Sequence, residues 1–326
     1  MLRRDVLLSC ALVAMPPYAD AQSGDKIRRL GFLASGGATA SAGLVQAFRT
    51  GMREHGWIEG RNMRVDYRFA EGAVEHLPAL AEALVDQNVE LIVAVTSAAA
   101  IAAQRATRTI PIVMASVADP VGLGLVTSLA RPGGNMTGTT YSFDLDIFAK
   151  QLQLLKEALP TLQRVAVLSN PASPSQRFVV RNVKASAQTM GLALQLLETR
   201  APKDFERAFT SMSNERAEAL LVVSDPLFGT YAEPLGELAL RHRLATIHGA
   251  RSNVESGGLL LYAPNIPDTV RQATAHVDKI LRGARAGELP VQQPVKFDLV
   301  VNLKTARALG ITLPPSLLLR ADQVIE

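Results

Sequence analysis

Small hydroxyl side chains stand where several apolar segments of the sequence end. Thr96 and Ser97 follow one such segment and open an alanine-rich stretch, and Ser35 and Ser116 follow two others. Hydroxyl groups and free backbone N–H groups at the start of a helix bind anions such as carboxylates. Serine and threonine are also preferred helix N-cap residues. For Thr96 and Ser97, an anion site and an ordinary helix cap are therefore equal alternatives.

Two aspartates precede prolines just after apolar segments, Asp119 before Pro120 and Asp225 before Pro226. Two carboxylates that face a shared cleft could hold an ammonium group. The alternative is that each aspartate caps the next helix, with proline in its first turn. We expect at least one of the two to be a cap, and Asp119 to be the better candidate for a ligand contact.

Aromatic and amide side chains complete the set of candidate binding residues. Tyr141 and Tyr262 fall near the expected connections between the two halves of the chain, and Asn170 follows another apolar segment. Aromatic rings at such positions can stack on an apolar or aromatic ligand group, and the alternative is packing within a hinge. An anion site, a carboxylate and tyrosines together indicate a small zwitterion such as an amino acid.

Apolar and amphipathic segments alternate along the chain, and they must position these side chains. In the first half, strands are predicted at 30–34, 63–69, 91–95 and 110–115, with helices between them. The alternation returns in the second half, with strands predicted at 165–169, 192–197, 219–224 and 245–248. This order is typical of parallel sheets with right-handed crossovers, in which ligands bind beyond the carboxyl ends of the strands. The predicted fold class is α/β, with two Rossmann-like lobes that each contain a parallel sheet.

The last part of the chain is expected to connect the two lobes. Strands are predicted at 257–263 and 295–303, with a helix between them, and prolines punctuate this stretch. Several crossovers between lobes would form a hinge whose motion opens and closes a cleft. We predict an N-terminal lobe of residues 27–140 plus 264–293 and a C-terminal lobe of residues 141–263 plus 294–326.

Residues 1–21 have the features of a signal peptide. Arg3 and Arg4 precede a short apolar stretch at 6–15, and Ala19 and Ala21 provide the small residues that a signal peptidase needs. The paired arginines also fit a twin-arginine signal loosely. We therefore expect cleavage after residue 21 and a soluble mature protein in the periplasm.

Charge and composition argue against several classes of function. The formal net charge of +4 is spread along the chain rather than clustered, so no nucleic-acid partner is expected. The only cysteine, Cys10, lies inside the predicted signal peptide, so no disulfide is expected. The five histidines lack metal-ligand spacing, and no phosphate loop or nucleophile motif is present. We expect no metal, no cofactor and no catalytic activity.

Several segments, in this order and spacing, resemble one family of proteins over essentially the whole mature chain. They are residues 48–56, 109–113, 119–122, 128–138, 296–306 and 314–322. With them the sequence resembles the bacterial ABC transporter substrate-binding family of the tryptophan/phenylalanine-binding type, within the type I periplasmic binding protein fold. Two positions depart from the family pattern: Ala263 stands where glycine is usual, and Ser252 where an acidic residue is common.

The resemblance implies two lobes joined by a three-strand hinge, with a small-molecule ligand in the cleft. It places Thr96 and Ser97 at the ligand carboxylate, Asp119 near the amine, and Asn170 and Asp225 on the second lobe. It also implies a monomer that delivers its ligand to an ABC permease in the inner membrane. The alternative function is a periplasmic sensor that signals through a membrane partner, because the same fold serves both purposes.

Overall fold

The computed structural model describes residues 27–141 and 146–326. The predicted signal peptide at 1–21 lies outside the described residues. Within the described ranges, no helix combines the length and the apolar character needed to cross a membrane.

Strands and helices alternate through most of the described chain. The strands are β1 (Arg28–Ala34), β2 (Met63–Phe69), β3 (Leu91–Val95), β4 (Ile112–Val117), β5 (Met136–Thr140), β6 (Arg164–Ser169), β7 (Ala193–Glu198), β8 (Ala219–Val222), β9 (Ala245–His248), β10 (Leu260–Pro264), β11 (Phe297–Asn302) and β12 (Gln323–Ile325). The helices are α1 (Ala42–Glu54), α2 (Leu77–Asp86), α3 (Ser97–Ala106), α4 (Asp146–Ala158), α5 (Gln176–Thr189), α6 (Phe205–Asn214), α7 (Pro226–Thr230), α8 (Ala232–Arg241), α9 (Arg251–Glu255), α10 (Ile266–Leu281), α11 (Leu303–Leu309) and α12 (Pro315–Leu319).

The strands form two separate sheets. The first sheet has the order β2-β1-β3-β4-β5, and all of its neighbours are parallel. The second sheet has the order β12-β11-β10-β9-β8-β6-β7 and is parallel except where β10 meets β11. The predicted α/β class with two mostly parallel sheets is therefore confirmed.

The antiparallel pair follows from the path of the chain between the sheets. After β10 the chain leaves the second sheet, and α10 packs against α1, β4 and β5 of the first sheet. The chain then returns and starts β11 beside the end of β10, where Asn265 N donates to Lys296 O at 3.1 Å. Because β11 begins where β10 ends, it must run in the opposite direction. The sequence predicts that the chain crosses between the sheets, and this antiparallel pair is the exception to the parallel sheets expected from it.

Helices cover both faces of the first sheet. Every residue of β3 is buried, as expected for a parallel strand between two helical layers. Ile92 packs on one face with apolar residues of α2 and α3, and Val93 packs on the other with residues of α1 and α10. The α10 helix, although it follows the second sheet in sequence, thus completes the core of the first sheet.

Two strands lack the apolar runs by which the other strands were predicted. β5 consists of Met136 followed by Thr137, Gly138, Thr139 and Thr140, yet all five residues are buried. The Thr137 and Thr139 hydroxyls donate to the backbone oxygens of Leu289 and Thr269, which satisfies polar groups inside the core. β12 is a three-residue edge strand next to β11.

Candidate ligand-binding site

A cavity of about 490 Å³ lies between the two sheets. Its wall contains residues just after β1, β3 and β4 of the first sheet and after β8, β9 and β10 of the second. Parallel sheets bind ligands at this edge, and the volume suits a small molecule. The carboxyl ends of the strands in the two sheets therefore face each other across the cavity, as expected for the ligand-binding edge.

The first-sheet wall carries hydroxyl groups in an unusual backbone setting. Ser35, Thr96, Ser97 and Ser116 all line the cavity. Thr96 and Ser116 have positive φ angles of 90° and 57°, a conformation that costs of order 1–3 kcal/mol in residues other than glycine and that is concentrated at functional sites. The strained positions aim small polar residues into the cavity.

The hydroxyl of Thr96 does not act as an ordinary helix cap. Thr96 occupies the N-cap position of α3, but its side chain accepts no hydrogen bond from the first turn. Its Oγ1 lies 2.6 Å from the Ser35 Oγ instead. The Ser97 Oγ accepts from Ala118 N at 3.1 Å and braces the segment after β4. The start of α3 therefore offers the cavity backbone N–H groups together with the positive end of the helix dipole.

The second-sheet wall carries a buried carboxylate. The Asp225 Oδ1 accepts from Leu227 N at 3.0 Å, which caps α7, and from Asn170 Nδ2 at 3.1 Å. Burial raises the pKa of Asp225, although hydrogen bonds from Asn170, Leu227 and Ser173 oppose the shift. Among the described ion pairs, none involves Asp225. A cationic ligand group at this carboxylate would supply the missing counter-charge.

An apolar wall lies on the same side of the cavity. Ile147 and Phe148 come from α4, and Phe178 and Val179 from α5. Tyr141 adds a phenol that hydrogen-bonds with Ser224, and burial raises its pKa to about 12. The Tyr141 hydroxyl is therefore a neutral donor at physiological pH.

The crossings between the sheets contribute a charged cluster to the wall. The Asp298 Oδ2 accepts from Arg251 Nη2 at 3.2 Å and from Asn265 Nδ2 at 2.8 Å. Arg251 also lies 4.0 Å from the carboxylate of Glu255. All four residues line the cavity, and the positive charge of Arg251 is already shared between two carboxylates.

Of the nine predicted site residues, the structure brings six to the cavity. These six are Ser35, Thr96, Ser97, Ser116, Tyr141 and Asp225. Asn170 is buried and does not line the cavity, but it contacts a residue that does. Its Oδ1 accepts from Ala172 N at 2.9 Å, and its amide nitrogen donates to Asp225.

Asp119 and Tyr262 do not line the cavity. The Asp119 carboxylate accepts from Gly122 N at 2.9 Å and closes a turn after β4, so of the two aspartates it is Asp225 that reaches the cavity wall. Tyr262 stacks on Phe297 with 5.8 Å between ring centres. Its neighbours Leu261 and Ala263 do line the cavity, and successive side chains of a strand point to opposite faces.

Several wall residues were not predicted from the sequence. Phe148 and Phe178 sit in helices whose apolar residues look like any core-facing stripe, so no local signal marks them. Arg251, in contrast, follows β9 closely, and the rule that binding residues come after strands could have found it. Among the residues that the structure describes, no group of three or more His, Cys, Asp or Glu side chains forms a metal site.

Residues 38–325 match the family described as ABC transporter substrate binding protein. The chain belongs to this family. A curated relative is the tyrosine-binding protein of Clostridioides difficile strain R20291, 25% identical over 272 residues that cover 83% of this chain and 76% of the relative. Members of the ABC transporter substrate-binding protein family bind ligands rather than transform them.

Two solved structures extend the comparison. A domain from Streptococcus pneumoniae in complex with L-Trp is 25% identical, has a TM-score of 0.85, and the match covers 91% of this chain and 99% of that one. The ligand-free, open structure of the substrate-binding protein CD0873 from Clostridium difficile is 24% identical, has a TM-score of 0.67, and the match covers 92% and 99%. The architecture of this substrate-binding protein is that of the type I periplasmic binding proteins.

Proposed function

We propose that this chain is a periplasmic carrier that binds an amino acid with an aromatic or large apolar side chain and delivers it to an ABC permease in the inner membrane. The observation that carries the proposal is the buried carboxylate of Asp225, which lines the cavity without a cationic partner among the described residues. An ammonium group is the ligand feature that this carboxylate fits best.

The rest of the cavity matches the other two parts of an amino acid. The start of α3, with Thr96 and Ser97, fits a carboxylate because N–H groups and hydroxyls converge there. The wall of Phe148, Phe178 and Val179 fits an apolar or aromatic side chain. The named ligands of the two relatives, tyrosine and L-Trp, agree with this chemistry.

We also propose that the molecule has the two lobes predicted from the sequence, residues 27–140 plus 264–293 and residues 141–263 plus 294–326. The packing of α10 against the first sheet supports this division. Membership of the ABC transporter substrate-binding protein family and the export features of residues 1–21 support delivery to a permease from the periplasm.

The test is calorimetric titration of the mature protein with L-Trp, L-Tyr, L-Phe and L-Leu. Tryptamine, which lacks the carboxylate, and indole-3-propionate, which lacks the amine, serve as matched ligand controls. We expect saturable binding of at least one amino acid and binding at least about tenfold weaker for the controls, because each leaves one polar wall unpaired. Absence of binding for all four amino acids, or equal affinity for the controls, would refute the proposed ligand class.

A pair of protein variants tests the carboxylate wall. Thr96→Val removes a cavity hydroxyl, and Thr210→Val removes an exposed hydroxyl on α6 that donates to Glu206 O. We expect Thr96→Val to weaken amino-acid binding while Thr210→Val leaves it unchanged. Equal affinities for both variants would remove Thr96 from the proposed site.

A further inference from the structure

The two sides of the cavity come close together at its rim, beside Gly37 and Gly72. A Cβ atom placed on Gly72, in the loop after β2, would lie 3.7 Å from the Cα of Leu227 and 3.9 Å from the Cβ of Thr230, both in α7. A Cβ placed on Gly37, in the loop after β1, would lie 3.8 Å from the Cγ2 of Thr230. Loops of the first sheet thus meet a helix that follows β8 of the second.

The backbone conformation of Gly72, rather than a lack of space, favours glycine at this contact. Its φ of +82° belongs to the left-handed region that glycine adopts readily. The neighbouring Glu71 accepts from Ala38 N at 3.1 Å and ties the two loops together. On the first-sheet side, the contact is therefore formed by two loops joined by a hydrogen bond. We call their two glycines, Gly37 and Gly72, the glycine edge.

The helix on the other side of the contact also carries the proposed ammonium partner. α7 begins after Asp225, which caps it, and ends at Thr230. Gly229 and Thr230 line the cavity as well. A short helix therefore connects the buried carboxylate at one end to the rim contact at the other.

We propose that the contact of Thr230 with the glycine edge is the latch of the cleft, which forms when the two sides close over a ligand and must break before the ligand leaves. Thr230 is then a positioning residue that controls ligand exchange through closure. The inference rests on the proposed function, since it assumes that the cavity holds a ligand. The TM-scores of 0.85 against the L-Trp complex and 0.67 against the ligand-free, open structure also differ, at nearly equal coverage of this chain.

The hydroxyl of Thr230 makes the latch reversible. Its Oγ1 is fully covered and has no hydrogen-bond partner among the described residues. Water can satisfy this hydroxyl when the cleft is open, whereas closure leaves it unpaired, which opposes closure. Thr230→Val removes that penalty, so we expect L-Trp to dissociate about tenfold more slowly from this variant.

An engineered disulfide across the rim tests the latch directly. The distance of 3.9 Å between the Cβ positions of residues 72 and 230 lies within the 3.5–4.5 Å range that disulfides require. In a chain that lacks Cys10, the variant with Gly72→Cys and Thr230→Cys contains no other cysteine. We expect oxidation to form the intramolecular bond, detected by mass spectrometry. The oxidised protein should exchange bound L-Trp at least about 100-fold more slowly than the same protein after reduction.

A second pair provides a matched control. Thr127 and Gly133 have Cβ positions 4.0 Å apart, Gly133 has a φ of +67°, and neither residue lines the cavity. A disulfide there should form equally well and leave L-Trp exchange unchanged. If the strain at position 72 prevents folding of the first variant, Gly37→Cys with Thr230→Cys tests the same contact at a glycine whose φ is not positive. There the new Cβ lies 3.8 Å from the Thr230 Cγ2, and the flexible Glu71 carboxylate, 2.5 Å away, must move aside.

The outcomes separate this inference from the proposed function. The latch is overturned if the control disulfide forms but neither rim disulfide does, or if the rim disulfide forms and L-Trp still exchanges at the rate of the reduced protein. If the reduced variants and the unmodified chain bind none of L-Trp, L-Tyr, L-Phe and L-Leu, the proposed ligand class fails. Formation of the rim disulfide then still decides whether the contact exists in solution.

Discussion

At the scale of single residues, the carboxylate of Asp225 combines a structural and a proposed ligand-binding task. It caps α7 and accepts from Asn170, but it lies buried without a cation among the described residues. Asp225→Asn retains an oxygen for the hydrogen bonds from Leu227 and Asn170, removes the charge, and replaces the other carboxylate oxygen with an amide NH2 group. We expect this variant to bind an amino acid at least about tenfold more weakly, measured by calorimetry, because an ion-paired hydrogen bond becomes a neutral one.

The raised pKa of Asp225 predicts how pH changes the stability of the ligand-free protein. Because the folded-state pKa is higher than the unfolded value of 3.8, the charged form is disfavoured in the fold. The unmodified protein therefore loses stability as pH rises from about 4 through the raised pKa, and Asp225→Asn lacks this loss. Denaturant unfolding at pH 4 and pH 7 should show the variant gaining relative to the unmodified protein at the higher pH. An unchanged difference between the two pH values would mean that burial does not raise the pKa of Asp225.

His248 makes the stability of the protein fall as pH drops, which is the opposite of the effect of Asp225. It ends β9 inside the core, its Nε2 lies 2.8 Å from Thr246 Oγ1, and burial lowers its pKa to about 3. The unfolded chain takes up a proton below about pH 6.5 and the folded chain does not, so stability falls by up to about 1.4 kcal/mol per pH unit as pH drops from 6.5 towards 3. The imidazole resonances of His248 should stay unchanged between pH 5 and pH 8 in NMR spectra. A titration within that range would show that the ring is solvated.

At the scale of secondary-structure elements, β5 illustrates how packing can make a strand out of small polar residues. Thr139 accepts from Ser116 N at 3.4 Å and donates to Thr269 O of α10 at 3.2 Å. The register between β4 and β5 shifts between Met114 and Val117, and bulges of this kind redirect side chains. β5 thereby helps to place Ser116 in the cavity wall.

Gly138 is the residue that lets β5 approach β4. A Cβ atom at this position would overlap the backbone oxygen of Met114, and its φ is +134°. We expect Gly138→Ala to lower the free energy of unfolding by about 3 kcal/mol, because the strands must separate or bend. Chemical denaturation measures the change.

Gly134 supplies the comparison for this substitution. It has a φ of +61°, and nothing lies within 4 Å of its Cβ position. Gly134→Ala should cost only the backbone strain, about 1 kcal/mol. Equal losses for the two variants would show that φ, rather than the contact with Met114, makes glycine necessary at position 138.

At the scale of the whole molecule, Asp298 joins two of the crossings between the sheets. Asn265 precedes α10 on the way out of the second sheet, and Asp298 lies at the start of β11 on the way back. The Asp298 side chain is only 7% exposed and accepts from both Asn265 and Arg251. This buried carboxylate holds the outgoing and returning segments side by side.

Two substitutions of Asp298 should weaken this connection to different extents. Asp298→Ala removes both hydrogen bonds, and we expect a loss of about 2 kcal/mol in the free energy of unfolding, moderated because Arg251 is 40% exposed. Asp298→Asn keeps an acceptor for Asn265 and should lose about half as much. Urea denaturation distinguishes the two, and unchanged stability in both variants would show that the crossings are held by other contacts.

Much of the fold could be predicted from the sequence because its signals are local. Apolar runs such as those at 91–95 and 110–115 must be buried on both faces, and their alternation with amphipathic segments leaves few alternatives to a parallel α/β sheet. The return of this alternation in the second half of the chain predicted two lobes, and the family resemblance added the three-strand hinge between them. The same reasoning found Ser35, Thr96, Ser97 and Ser116, since these residues directly follow the strands predicted from the sequence.

The tertiary structure decided what local patterns do not encode. Tyr262 lies on the face of β10 away from the cavity, whereas its neighbours Leu261 and Ala263 lie on the cavity face. The Asp119 carboxylate accepts from Gly122 N within its own turn and does not line the cavity. β5 is buried because α10 returns from the far end of the chain to cover it. The contact between Thr230 and Gly72 joins residues 158 positions apart, so its existence depends on how the two sheets face each other. Burial and hydrogen bonding between distant segments are properties of the packed chain, and a sequence window contains neither.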